Sequence, residues 1–349
     1  MDINLADFYS RLGTIAIILA LGFLLGKLKL ISAKTSKDFV NLLLTVFMPA
    51  SLFMAFPTSY DEQTSDIFIA GLVGGFIVMI AITLLSLLIF NKKWYRGKLR
   101  YESQFALIFN NATFLGYPII SSTFGAQSTA VVAYCGFIIA FNFALFSYGV
   151  YLFEHKINKK LILNVITNPN IIAVALGVAV FVTGFQVPAF VNDAVRLTGN
   201  ATTALSTICV GYMLSTARYT QLIKKWKLAL TAAIQLFVGP LATYFVLVAV
   251  QRIAHGAGFV FPDEVVVVCT LIQALPTATS LGLFASKYGG DEKEASQLVT
   301  ISTIMSLFTL PFAVGLLLVS WSQNAIVFRR VVCDYYSSSK DGGMVRRYF

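Results

Sequence analysis

The sequence predicts an all-α integral membrane protein of ten transmembrane helices, arranged as a 5+5 inverted repeat in which the fourth and ninth helices are broken and cross. Three observations predict this. The 349 residues are 57% hydrophobic and only 12% charged, with a mean hydropathy of +0.78, whereas soluble domains run at about 25% charged. Lys and Arg alternate between crowded and nearly empty connections. The pattern Ala-Thr-x-Leu-Gly occurs twice, at 112–116 and 278–282, an offset of 166 residues, each time beside a proline in an otherwise apolar stretch.

A helix needs about 20 mainly apolar residues to cross the hydrocarbon core. In chain order the stretches that qualify are 12–30, 38–56, 66–90, 102–124, 128–152, 168–187, 201–217, 228–251, 263–285 and 295–320. The second and seventh are short. The connections leave no room for a soluble domain before the tail after 321. Asp2 and Asp7 stand where a signal peptide would be basic, and no A-x-A site follows the first apolar run, so the first span is expected to be retained.

The connections after spans 1, 3, 5, 7 and 9 carry Lys27, Lys29, Lys34 and Lys37; Lys92, Lys93, Arg96, Lys98 and Arg100; Lys156, Lys159 and Lys160; Arg218, Lys224, Lys225 and Lys227; and Lys287 and Lys293. The opposite side, through the loop after span 8, has Arg11, Arg196 and Arg252. One missed span would scramble this asymmetry. It places the first set in the cytoplasm and both termini outside. It also accounts for the net charge of +10 without a nucleic-acid partner. Arg329, Arg330, Lys340, Arg346 and Arg347 in the tail run against the rule. Re-entry of the tail into the interface, or its tolerance as a late topology signal, would each account for them.

Five spans per half force the halves to run in opposite senses. The offset maps span 3 onto 8, 4 onto 9 and 5 onto 10, giving units 1–160 and 161–321 followed by the basic tail 322–349. Broken spans at matching places in two halves are the sequence pointer to a secondary transporter's binding site. Their backbone groups must line a cavity or contact protein, because hydrocarbon cannot satisfy them. Coincidence is the alternative for a five-residue match, and the shared position within spans 4 and 9 weighs against it.

No span has an interior Asp, Glu, Lys, Arg or His on this reading. Asp38, Asp66, Asp193, Asp263 and Glu264 fall at span ends or in loops, and Glu154 closes span 5. That disfavours a buried carboxylate relay. The chain has no HExxH and no phosphate-binding loop, and no enzyme activity or cofactor is expected. Cys135, Cys209 and Cys269 lie in apolar spans and read as small core residues, while Cys333 lies in the tail. His155 and His255 fall in loops, so no metal site is expected.

What remains for chemistry is neutral. Each interrupted helix offers an N-terminus equivalent to about +0.5 charge, whose free N–H groups bind anions without a cationic side chain. Asn111, Thr113, Gln273, Thr277, Thr279 and Ser280 could add donors and acceptors; Gly116 and Gly282 permit close approach; Tyr117 lies within the first motif. Pro118 and Pro276 each remove a helix hydrogen bond and clash with the preceding turn, and a plain kink is the alternative for both. Pro49 has no matching proline in span 7, where the offset position is Ser215, and is open between kink and site. Two adjacent amides, Asn110 and Asn111, are expensive in a span unless used. Asn142 and Tyr148 read as helix-packing groups.

At these residues the sequence resembles the auxin efflux carrier family, which includes plant PIN-type auxin carriers and bacterial malate or malonate permease-like members. Asn111-Ala-Thr-Phe-Leu-Gly-Tyr-Pro118 keeps that family's Asn, Gly and Pro in register, and Gln273-Ala-Leu-Pro276 followed by Phe284-Ala-Ser-Lys-Tyr288 resembles its ninth span. Tyr151 to Lys156, Leu310-Pro311, Gly22 to Lys27 and Asn41 to Pro49 extend the likeness to nearly all of the chain through 321. The resemblance implies a bile-acid-symporter- or NhaA-like fold with outside termini in the cell (plasma or inner) membrane. It implies a dimerising scaffold of spans 1, 2, 6 and 7, and a transport domain of spans 3–5 and 8–10 that moves as an elevator. It carries Asn111, Pro118 and Pro276 over as crossover residues. Thr277-Ala-Thr-Ser departs from the PIN-type pattern, and the connection after span 5 lacks the long hydrophilic insert of many plant members.

The expected function is secondary active or facilitative transport of a small organic anion, a carboxylate such as malate or malonate or an auxin-like acid. Coupling to Na⁺ or H⁺ is one alternative, and a ligand-binding sensor without transport is another.

Overall fold

The computed structural model describes residues 5–56, 61–95, 97–155, 163, 166–216, 225–312 and 315. The tail 322–349 and Lys156, Lys159, Lys160, Arg218 and Lys224 lie outside them. Among the described residues the fold is helical throughout, with one isolated β-bridge and no strand. The helices are α1 (Leu5–Lys27); α2, which runs through Ala33–Leu42, a π turn at Leu43–Phe47 and Met48–Phe53; α3 (Glu62–Ile89); and α4 (Lys98–Ile108). Next come a π turn at Ala112–Gly116 leading into α5 (Tyr117–Phe124), then α6 (Thr129–Glu154), α7 (Pro169–Thr183) and α8 (Ala189–Ser215). The series closes with α9 (Trp226–Gly256), α10 (Asp263–Gln273), α11 (Ser280–Tyr288) and α12 (Glu292–Phe312).

Among the described residues, four helices, α3, α6, α9 and α12, are long and apolar enough to cross a membrane. The chain is therefore an all-helical, multi-pass membrane protein. Helix ends carry local signals that the sequence dictates. Asp61 caps α3, its Oδ1 accepting from Thr64 N at 2.8 Å, and Asn168 caps α7 through Asn170 N at 2.9 Å, each satisfying an N–H that has no helical partner. α8 begins at Ala189, well before the 201 expected from hydropathy. Asn192, Asp193 and Arg196 occupy its first turns, and Arg196 pairs with Asp193 at 3.0 Å on the exposed surface.

Prolines act in two ways. Pro49, Pro118 and Pro240 each stand two residues past a five-residue π turn, at Leu43–Phe47, Ala112–Gly116 and Ile234–Val238. A proline ring clashes with the carbonyl one turn back, and widening that turn relieves the clash while the helix continues. Pro276 instead lies in a non-helical stretch between α10 and α11.

Two pairs of helices cross at backbone contact. α1 packs along α8 and α3 along α6. A Cβ on Gly22 would overlap Ile208 O, and one on Gly211 would overlap Leu19 O; Gly71 and Gly136 make the same close approach to Ala133 O and Phe68 O. Small residues at such crossings are how membrane helices gain packing energy where lipid offers no hydrophobic drive. α2 packs on α7 and α8, joined to α8 by Ser51, whose Oγ donates to Gly199 O at 2.6 Å and lies 2.7 Å from Thr202 Oγ1. The helices most enclosed by protein are α4, α10 and the first half of α6. The interrupted segments therefore sit at the centre of the molecule, not facing lipid.

Candidate functional site

The two interruptions meet. Asn110 and Thr277 form the isolated antiparallel bridge. Asn111 N donates to Pro276 O at 2.7 Å, and Ala278 N donates to Phe109 O at 2.9 Å. Each broken segment thus satisfies backbone groups that the other exposes, which answers the membrane's demand for internal pairing. The 166-residue offset relates the paired residues: Asn110 maps to Pro276 and Asn111 to Thr277, so the pairing is its own image under that offset.

Side chains complete the knot. Gln235, a fully buried amide on α9, donates from Nε2 to Asn110 Oδ1 at 2.9 Å and to Leu275 O, and its Oε1 accepts from Thr277 Oγ1 at 3.3 Å. Thr277 N donates to Ser302 Oγ of α12 at 3.1 Å. Gln273 Nε2 donates to Leu107 O at 2.7 Å, and Tyr134 OH donates to Ala112 O at 3.0 Å. Asn111 Oδ1 caps the resumed helix by accepting from Phe114 N at 3.3 Å. Asn111 Nδ2 and Gln273 Oε1 are buried and have no protein partner.

The residues singled out in the sequence divide on this geometry. Asn111, Gln273, Pro276 and Thr277 are brought together in the crossing. Gly116, Tyr117 and Pro118 are buried on the resumed helix beside it, and Thr113 is half-buried there. The fourth-span break lies at Phe109–Asn111, before Pro118. Pro118 therefore shapes a π turn and does not open the helix, because the i−4 clash is absorbed locally. Pro49 is half-buried in α2 past its own π turn. Thr279 and Ser280 start α11. Asn142 has a packing role: its Nδ2 donates to Ile138 O, and its Oδ1 accepts from Asn168 at 3.3 Å.

Two cavities stand out among the described residues. The larger, about 790 Å³, is walled by Val210, Met213, Leu214 and Thr216 of α8, by Thr279 and Gly282 at the start of α11, and by the Glu292–Thr303 face of α12. The smaller, about 520 Å³, is lined among others by Asp61 and Thr64 of α3, Thr129 and Val132 of α6, and Asn192 of α8. Asn192 and Met213 stand near opposite ends of α8, about 30 Å apart at 1.5 Å per residue. The cavities therefore lie toward opposite ends of α8. Thr279 and Gly282, both singled out in the sequence, line the larger one.

Sequence reasoning missed Gln235 and the α12 wall of Ser296, Gln297, Thr300 and Thr303. The rule applied to Asn110 and Asn111, that an amide in an apolar span is expensive unless used, would have found Gln235. The hydroxyls of Thr300 and Thr303 donate to carbonyls of their own helix, the usual habit of Thr in apolar helices, which gives no sequence signal. Nor did the sequence signal one buried acid at a span edge. Glu102, the first residue of span 4, is wholly buried, because the turn at Asp291 folds over it.

No curated protein matches the chain. The family model described as membrane transport protein matches residues 8–156 and again 153–314, one match for each half. With nearly all of the described chain covered by two matches to one transporter family, and its two halves knotted at their breaks, the protein belongs to the membrane transport protein family that includes the auxin efflux carriers.

Proposed function

We propose that this chain is a secondary carrier of small organic anions that binds its substrate carboxylate at the crossing of the two interrupted helices. The observation that carries this is the start of α11: Thr279 and Gly282 open onto the larger cavity, so a helix N-terminus faces a space a small carboxylate can reach. Asn111 Nδ2, without a protein partner, adds donors one bond from the same crossing. A pocket of several hundred Å³ is the size small ligands use.

Ten spans in two inverted halves, termini outside, in the plasma or inner membrane, are the arrangement we infer. The larger cavity, beside Lys293, then opens to the cytoplasm and the smaller outward. Alternating access moves α3–α6 and α9–α12 against a scaffold of α1, α2, α7 and α8, which dimerises as the resemblance implies. The packing supports this division: α1 and α2 lie on α7 and α8, while α3, α6, α9 and α10 pack on one another. An inward-negative potential favours anion export by about 2.3 kcal/mol per charge per 100 mV.

Uncoupled transport is preferred over Na⁺ coupling for a specific reason. Carriers that hold Na⁺ do so with unwound backbone carbonyls. Here Leu275 O and Asn110 Oδ1 at the break already accept from the Gln235 amide. The test is ligand-driven current on a solid-supported membrane, screening malate, malonate, succinate, lactate and indole acetate with and without Na⁺ and a pH gradient. A saturable, Na⁺-independent current supports the reading. Binding with neither current nor isotope uptake would make the protein a sensor.

A further inference from the structure

Glu102 stands on α4 nine residues before Asn111, on the side of the molecule that carries the lysine-rich connections. Its side chain has no exposed area. Oε1 accepts from Asp291 N at 2.6 Å, and Oε2 has no partner. The charged groups that act on it are two acids, Asp291 and Glu294, and Lys98 on its own helix. Lys98 Nζ donates to Gly290 O at 3.2 Å, and Lys225 pairs with Glu294 at 3.0 Å. Arg100 donates from Nε to Phe90 O at 3.0 Å, and His155 stacks edge-on against Tyr101 at 5.0 Å. No described cation is bonded to Glu102.

Asp291 ties this carboxyl to the start of α12. Its Oδ1 accepts from Lys293 N at 3.0 Å and Glu294 N at 3.1 Å, and its carbonyl accepts from Ala295 N at 2.9 Å. It thereby caps the first turn of α12, and Glu292, Lys293 and Ser296 of that turn line the larger cavity. One hydrogen bond therefore connects a buried carboxyl to the cavity mouth.

We propose that Glu102 is a proton-binding site that latches the turn before α12, and with it the mouth of the larger cavity, according to pH. A carboxylate held here is out of water and faces two like charges, and taking up a proton from solvent at its free oxygen removes both costs. Losing that proton sets the new charge against Asp291 and Glu294 and loosens the turn.

The experiment is hydrogen exchange of the 289–294 amides across the neutral pH range, corrected for intrinsic chemistry, on the full chain without ligand. It is paired with the infrared band of protonated carboxyl groups, for wild type and Glu102→Gln. The latch predicts that Asp291 loses protection as pH rises in wild type and stays protected in Glu102→Gln. It also predicts a titrating, slowly deuterating carboxyl band that Glu102→Gln lacks. The same pH response in both proteins, or the same band in both, overturns it. If Glu102→Gln does not fold, wild type alone decides: constant Asp291 protection across the range overturns the latch. Neither readout needs transport, so the latch and the carrier reading can fail separately.

Discussion

The backbone N–H of Asn111 donates to the carbonyl of Pro276 at 2.7 Å, and this bond joins the two halves of the chain at their breaks. The geometry gives each residue a distinct part in it. Pro276 has no N–H to return to a helix ladder, so its segment stays open and its carbonyl is free to accept. Asn111 is released from its own helix by the break before it, and its side chain caps the helix that resumes.

Pro276→Ala restores an N–H and removes the ring that keeps α10 and α11 apart. The expected outcome is a flux at least tenfold lower in the current assay, with the protein still monodisperse, because the segment gains a route to continuous helix. Wild-type flux in Pro276→Ala would move the site elsewhere.

Gln235→Leu leaves Asn110 Oδ1, Leu275 O and the Thr277 hydroxyl without their shared partner. Each buried group so stranded costs about 1–3 kcal/mol, so the melting temperature in detergent is expected to fall by several degrees. Gln235→Glu places an oxygen where the amide N–H₂ was, facing two other oxygens. That variant is expected to be stabilised by Na⁺ or by acid, and wild type is not. A sodium-induced shift of equal size in both would mean the cation site lies elsewhere.

At the α1–α8 crossing, Gly211→Ala is predicted to reduce folded yield sharply, since its Cβ meets Leu19 O and lies 2.9 Å from Phe23 N. Gly13→Ala on the same helix pair has nothing within 4 Å and is expected to be neutral or stabilising by up to about 1 kcal/mol. Detergent thermal melts of the two variants side by side check this.

The contrast between Pro118 and Pro276 marks how far the sequence could be read. Both stand in repeated motifs and both remove a helix hydrogen bond. A π turn before Pro118 and a full break around Pro276 satisfy that loss equally well, so local sequence cannot choose between them. The 166-residue spacing of the two motifs stands out because Ala-Thr-x-Leu-Gly is out of place in an apolar span. The knot it forms was only half legible: Asn111, Gln273, Pro276 and Thr277 stood out, while Gln235 lay alone among apolar neighbours. α8 was shortened because Asp193 and Arg196 lower the hydropathy of turns that are helical all the same. Glu102 was hidden because its burial comes from a turn nearly two hundred residues later in the chain.

The central claim is that an organic anion binds at the crossing and is carried through it, and the most direct test is ligand-driven current in proteoliposomes of wild type and Asn111→Ala. The substitution removes a cap worth about 0.5–2 kcal/mol together with the unpartnered Nδ2. The account predicts a saturable wild-type current with a carboxylate and its loss in Asn111→Ala at comparable folded yield. Undiminished current in Asn111→Ala would contradict it.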